Sequence, residues 1–326
     1  MVVMRQDSGC NGMSNIENIT VIGAGLMGHG ISQIFATEGF PVTLMDLNDD
    51  LLENAIKNIR SNLSIMADHN IVNRHDIEQV ISRIKTTTDM SLAASSADFI
   101  VEAVSEKLDL KQNVFRKLDA LCRRETILAT NTSVISITEI ASKSIFRDRI
   151  VGTHFWNPPY LIPLVEVVRG KDTSDETMDQ TLSLLQTVGK HPVRVNKDVP
   201  GFVGNRLQHA LWREAISIIE KGIADAETVD ECIRFGFGLR LPVLGPVENA
   251  DMVGIDLTLA IHDYILKHLE NSPDPSPLLK KMVNDGELGF KSGRGFREWP
   301  EEKIEKSRKR LQEYLLEAIK KGDRSK

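Results

Sequence analysis

Residues 19–23 (ITVIG) form an apolar run that stops at a glycine, and strand-like and helix-like spacings alternate from there onward. Met27, Ile31, Ile34 and Phe35 follow at helical spacing, and 41–46 (PVTLMD) reads as a second strand. A strand–helix–strand order implies a parallel sheet with helices on both faces. Two helical stretches come next, over about 49–67 and 75–85, joined by the polar turn 67–73. Further strands are expected at 97–104, 126–133, 150–157, 161–170 and 191–195, each short, apolar and bounded by polar residues.

The pattern changes near Asp198. Beyond it no run reads as a strand, and Phe202, Val203, Leu207, Leu211, Ile216 and Ile219 recur at helical steps. Pro200-Gly201 marks the break. The expected organisation is a leader over 1–14 without order, an α/β domain over 15–198 and a smaller all-helical domain over 199–326. The charged segment 300–326 keeps Ile304, Leu311, Leu315 and Ile319 on one stripe, which predicts a helix lying against the parent fold.

Composition narrows the function classes. A chain of 326 residues (36.4 kDa), 41% hydrophobic and 26% charged, has the make-up of a globular protein of two domains. Forty basic against 46 acidic side chains leave 40 − 46 = −6, with no basic excess to hold a nucleic acid backbone. Cys10, Cys122 and Cys232 are too few and too scattered for a disulfide framework or a zinc site, which fits a reducing cytoplasmic compartment. No apolar run approaches the roughly 18 residues of a membrane helix, and the first 14 residues lack the apolar block of a signal peptide. Neither a membrane nor a resident metal is expected.

Gly23-Ala24-Gly25-Leu26-Met27-Gly28 follows the first strand directly and opens a helix. The first glycine permits a tight turn and the second lets backbone approach a pyrophosphate. The third allows close helix–strand packing, while the helix N-terminus offers free N–H groups to phosphate. The second strand ends in Asp46, whose carboxylate suits an adenosine ribose and repels a 2′-phosphate. With Lys57 the next basic residue, NAD is favoured over NADP. The fold class is therefore α/β, a Rossmann-type doubly wound sheet followed by the helical domain. A methyltransferase shares the glycine turn and the acid ending the second strand, so the choice falls to the catalytic groups.

His154 lies in IVGTHFWNPP and Glu166 in LIPLVEVV, on the strand face of Leu164 and Val168. A carboxylate among Leu and Val needs a cationic or hydrogen-bonding partner. The Pro158-Pro159 turn brings the two strands back alongside each other and makes His154 that partner. An imidazole held by a buried acid has a fixed tautomer and a stabilised cation, which suits the base that takes the hydroxyl proton during alcohol oxidation.

VIGAGLMGHGI, VEAVSEKLDLK, ATNTSVISITEIA, GTHFWNPP, LVEVV, KDVPGFVGNR, LGPVENADMVGID and GFKSGRGF occur in this order along the chain. By these segments the chain resembles the 3-hydroxyacyl-CoA dehydrogenase family over about 18–299. The resemblance implies a Rossmann domain and a helical domain that forms a homodimer and closes over the cofactor. It implies NAD-dependent oxidation of an (S)-3-hydroxy group to a ketone, in fatty acid metabolism, with His154 as base and Glu166 orienting it. Ser133 and Asn205 would bind the substrate's reacting oxygen and carbonyl. Cofactor contacts would fall on Gly23, Gly25, Leu26, Met27, Gly28, Asp46, Glu106, Lys111, Ser133, Asn157 and Lys291. Read without the family, Ser133 caps the next helix, Asn205 satisfies a helix end and Lys111 belongs to a solvated face.

One stretch departs from the acyl-CoA members, whose hairpin after the second strand is rich in lysine. Residues 49–85 carry five basic side chains (Lys57, Arg60, Arg74, Arg83, Lys85) against six acidic ones (Asp49, Asp50, Glu53, Asp68, Asp76, Glu78). Asn62 and His69 stand where the family's CoA-contacting serine and lysine align. The same NAD-linked chemistry on a small free hydroxy acid, carnitine-like or a pyridine carboxylate, is the alternative. A non-catalytic NAD-binding structural protein is the reading from another class, and His154, Glu166 and Asn205 argue against it.

Overall fold

A computed structural model describes residues 16–322. The expected leader, residues 1–14, lies outside the described residues. The chain alternates strands and helices from its first described element. These are β1 (Ile19–Ile22), α1 (Leu26–Thr37), β2 (Val42–Met45), α2 (Asp49–Asp68), α3 (Ile77–Ser82), β3 (Ile84–Thr87), α4 (Met90–Ser95), β4 (Phe99–Glu102), α5 (Leu108–Leu121), β5 (Ile127–Thr130) and α6 (Ile137–Ile140). Next come β6 (Ile150–Phe155), β7 (Leu164–Val168), α7 (Asp175–Thr187) and β8 (His191–Val195). Helices alone follow: α8 (Gly204–Glu220), α9 (Ala226–Phe235), α10 (Pro246–Val253), α11 (Ile255–Ile265), α12 (Pro277–Asn284) and α13 (Glu301–Gly322).

The eight strands form one sheet in the order β3-β2-β1-β4-β5-β6-β7-β8. β1 through β6 run parallel, β7 is antiparallel to β6, and β8 is parallel to β7. Every residue of β1, β4, β5 and β6 is buried, as a sheet covered on both faces requires. The period of two divides them between two cores: Ile19, Val21, Phe99 and Val101 face one side, Ile22 and Ile100 the other. Each fully buried Ile or Phe contributes about 1.5–3 kcal/mol.

The helices follow from spacing and caps. In α2, Leu52, Ala55, Ile59, Leu63 and Met66 make one buried stripe, and the Asn48 side chain caps the first turn by accepting the Leu51 N–H at 2.9 Å. Asp49 and Asp50 sit at the positive end of the helix dipole.

The expected helix over 75–85 is a correction. It breaks into a 3-10 turn and the short α3, and Ile84–Thr87 is instead the edge strand β3, paired with β2. Only Ile84 of β3 is fully buried, so the strand lacks the apolar run by which the others are recognised.

Two compact units result. One runs from the start of the described chain through Asn205 and takes in the chain from Glu313 onward; the other is Arg206–Gln312. The division thus falls at 205/206, where the break in periodicity placed it near 198, and the last turns of α13 belong with the first unit. There Leu315, Leu316 and Ile319 pack with Met66 and Leu161, so the end of the expected stripe lies on the first unit, while Leu311 is 57% exposed. Among the described residues no helix is long and apolar enough to cross a membrane.

Candidate active site

β1, β2, β4, β5 and β6 all present their C-terminal ends on one edge of the sheet, and the chemistry-bearing residues of the first unit collect there. The glycine loop leaves β1 at Gly23, whose φ of 102° is the left-handed turn that glycine permits. A side chain at Gly28 would meet the Gly23 carbonyl oxygen at 1.7 Å, so the helix closes on the strand only because this residue is glycine. A Cβ at Gly25 would face open space, leaving room for a phosphate over the N-terminus of α1. Leu26 and Met27 form the first turn of α1, Leu26 exposed and Met27 half-buried. Asp46, just past β2, accepts the Ala24 N–H at 2.6 Å, which ties the acid to the glycine loop. These features fit a dinucleotide.

His154 and Glu166 are register partners across the antiparallel β6–β7 pair. The imidazole Nδ1–H donates to Glu166 Oε2 at 2.7 Å, with His154 4% and Glu166 1% exposed. That bond fixes the tautomer and leaves Nε2 as the basic nitrogen. Glu166 Oε1 accepts two backbone N–H groups, from Val203 and Gly204, both at 2.9 Å. Burial pushes the Glu166 carboxyl up, but the bonds from His154, Gly204 and Val203 outweigh it and hold the group below the ordinary carboxylate range. The acid is an anion with both oxygens occupied.

The donors at 203 and 204 depend on Phe202, which adopts φ 50° while 1% exposed. A left-handed phenylalanine costs on the order of 1–3 kcal/mol. Burial against the imidazole, with ring centroids 5.7 Å apart, holds it there. The Trp156 ring also packs by His154, at 5.3 Å. The sequence reading puts Phe202 and Val203 at helical steps, but α8 begins at Gly204, and the left-handed Phe202 and the two N–H donors after it go unread.

Ser133 and Asn205 come together: the Asn205 side-chain amide donates to the Ser133 carbonyl at 3.0 Å. Helix capping belongs to another residue, since Ser136 caps α6 through the Glu139 N–H. Glu106 Oε1 accepts the Thr132 hydroxyl at 2.5 Å and the Ser133 N–H at 2.9 Å. Burial raises the Glu106 carboxyl, yet the Thr132 bond, the Lys111 ammonium and the Ser133 N–H bring it below the ordinary range.

Lys111 corrects the solvated-face reading. It has no exposed surface, so it does not belong to a solvated face; its Nζ lies 2.8 Å from Glu102 and 3.3 Å from Glu106. Asn157 is exposed two residues beyond β6, next to the cis Asn157–Pro158 bond. Lys291 lies in the second unit, exposed, on the wall of a cleft of about 1320 Å³.

A phosphate-ready glycine loop tied to an acid, and a buried imidazole–carboxylate pair on the same sheet edge, define an NAD-dependent dehydrogenase acting on a CH–OH group. The sequence profile of the 3-hydroxyacyl-CoA dehydrogenase NAD-binding domain matches residues 18–199, and that of the family's C-terminal domain matches 201–299. The chain belongs to the 3-hydroxyacyl-CoA dehydrogenase family. It is 39% identical over 287 residues to a probable 3-hydroxybutyryl-CoA dehydrogenase of Bacillus subtilis, covering 88% of this chain and 98% of the relative. It is 35% identical over 283 residues to 5-formyl-3-hydroxy-2-methylpyridine 4-carboxylate 5-dehydrogenase of Mesorhizobium japonicum, covering 86% and 90%. A solved structure of a 5-formyl-3-hydroxy-2-methylpyridine 4-carboxylic acid 5-dehydrogenase, described as an NAD+ dependent dismutase, superposes with a TM-score of 0.85 at 32% identity, covering 93% and 97%.

Proposed function

We propose that the protein oxidises the 3-hydroxy group of an (S)-3-hydroxyacyl-CoA to the 3-oxo compound, with His154 as general base. The buried His154–Glu166 pair, joined at 2.7 Å on the glycine-loop edge of the sheet, carries this reading. Bound NAD supplies the acceptor for the hydride that leaves the carbinol carbon. His154 Nε2 takes the hydroxyl proton, and Glu166 stabilises the imidazolium that results. Ser133 and Asn205 orient the reacting oxygen and the neighbouring carbonyl. The glycine loop and Asp46 hold the dinucleotide, with Glu106 and Asn157 as further contacts and Lys111 acting from beneath Glu106.

A specific observation favours a second reading, the same reaction on a free hydroxy acid. Four of the five cations of the 49–85 hairpin are engaged at home: Arg60 with Glu78, Arg74 with Asp68, Lys57 with Glu53 at 3.8 Å, and Arg83 with the Ala36 carbonyl at 2.9 Å. A CoA phosphate prefers clustered, uncommitted cations. Rates of NADH consumption with acetoacetyl-CoA, free acetoacetate and a formylpyridine carboxylate separate the two. Turnover of acetoacetyl-CoA well above the free acids is the expected result, and activity on free acids alone would retire the CoA substrate.

The working form is a homodimer built through the helical unit. Neither α10 nor α11 has a buried side chain, and Val247 (75% exposed), Met252, Ile255, Leu259 and Tyr264 are among the apolar residues they expose. Apolar surface on this scale marks an interface. Sedimentation should give twice the 36.4 kDa chain mass, and a monomer at micromolar concentration would refute the assembly. The two described cysteines, Cys122 and Cys232, are free, which supports a cytoplasmic setting.

A further inference from the structure

Two ionisable side chains with no exposed surface, Glu102 and Lys111, sit beneath the site, and Glu102 has no part in the scheme above. Glu102 ends β4. Its Oε1 accepts the Val104 N–H at 2.7 Å and the Lys111 ammonium at 2.8 Å; its Oε2 accepts the Thr130 hydroxyl at 2.7 Å and the same ammonium at 3.1 Å. Four hydrogen bonds from three donor groups on one buried carboxylate exceed what a lone charge pair needs. Lys111 also reaches Glu106 Oε2 at 3.3 Å, and Glu106 Oε1 holds the Thr132 hydroxyl and the Ser133 and Val134 N–H groups, the last at 3.3 Å. An unbroken chain of polar contacts therefore runs from the end of β4 through α5 to the loop after β5.

The geometry points to Glu102 as a positioning residue. Through Lys111 it fixes the Glu106 carboxylate, and through Glu106 it sets the backbone of Ser133 and Val134 at the rim where cofactor and substrate meet. The charges alternate, acid–ammonium–acid, so the inner acid holds the ammonium in a place from which it can direct the outer acid. Without Glu102, Lys111 has only one anion to follow, and the half-exposed Glu106 side chain is free to carry it toward water. This inference rests on the proposed reaction for Ser133's role, but its readout is cofactor binding.

A double-mutant cycle tests it on the full-length protein, by fluorescence titration of NADH together with the melting temperature. E102Q and K111M should each weaken NADH binding about tenfold, and E102Q/K111M should weaken it no further than either alone, because the residues act as one unit. Losses that multiply to about a hundredfold, or an E102Q variant with wild-type NADH affinity, would overturn the assignment. T130V removes only the hydroxyl from the Glu102 Oε2 end, and answers if E102Q fails to fold. It should cost about threefold in NADH affinity with a fall in melting temperature of only a few degrees, and wild-type affinity there equally overturns the proposal. A wild-type chain that binds NADH but reduces none of the ketones would sink the proposed reaction and leave the cycle readable.

Discussion

Replacing His154 with Gln should lower kcat by about a hundred- to ten-thousand-fold, the usual contribution of a positioned general base. NADH affinity should stay within a factor of about two, because the ring touches Glu166, Trp156 and Phe202 rather than the glycine loop. Glutamine is close in volume and can still donate an amide hydrogen to Glu166, so the fold keeps its contacts. What disappears is a group able to take a proton at neutral pH. A variant with wild-type kcat would remove His154 from the chemistry. A variant that lost NADH binding in parallel would recast it as structural.

Glu166→Gln should be the next most damaging change, costing about a hundredfold in kcat and several degrees of melting temperature. The amide cannot serve both sides of the site. If its NH2 faces Val203 and Gly204, donors confront donors where both N–H groups now reach Oε1 at 2.9 Å. If it is turned the other way, the His154 Nδ1–H loses its acceptor at 2.7 Å. Either arrangement leaves a buried polar group unpaired, at about 1–3 kcal/mol each. The pH dependence carries a matching sign. The native Glu166 carboxyl lies below its ordinary value of 4.5, so its contribution to stability is present above that pH and lost as pH falls through the native value. The variant should therefore show a shallower fall in melting temperature below about pH 4.5 than the wild type. Equal slopes and wild-type kcat would make Glu166 a bystander.

The parts of this molecule that read directly from sequence are those where residue type and spacing are both constrained by backbone. The glycine loop is one: Gly23 needs its left-handed turn and Gly28 its missing side chain, and both leave letters in the text. The His154–Glu166 encounter is another, since an acid in an apolar strand demands a partner and the 158–159 turn returns it to its neighbour. What stayed hidden has no such signature. Backbone N–H groups at 203 and 204 belong to any residue, and nothing in the letter F announces a left-handed Phe202. β3 failed because its residues after Ile84, Lys85 to Thr87, line a half-exposed edge where apolar periodicity is not required. Lys111 misled for the converse reason: lysine belongs at the surface unless acids are brought to it, and Glu102 and Glu106 arrive from a different element. The return of α13 to the first unit is a long-range contact, and a stripe of Leu315 and Ile319 states that a partner exists without naming it.

The hold of Val203 and Gly204 on Glu166 also bears on how this chain can be subdivided. A fragment cut at 199, where the match to the NAD-binding profile ends, would keep the whole sheet and the glycine loop. It would nonetheless carry a glutamate with one oxygen stripped of both its amides, a histidine missing the phenyl ring at its side, and Ser133 without the Asn205 amide. Such a piece has the parts list of a cofactor-binding module and lacks the finishing segment of its own reaction centre. Anyone shortening this protein should keep the chain at least through residue 205.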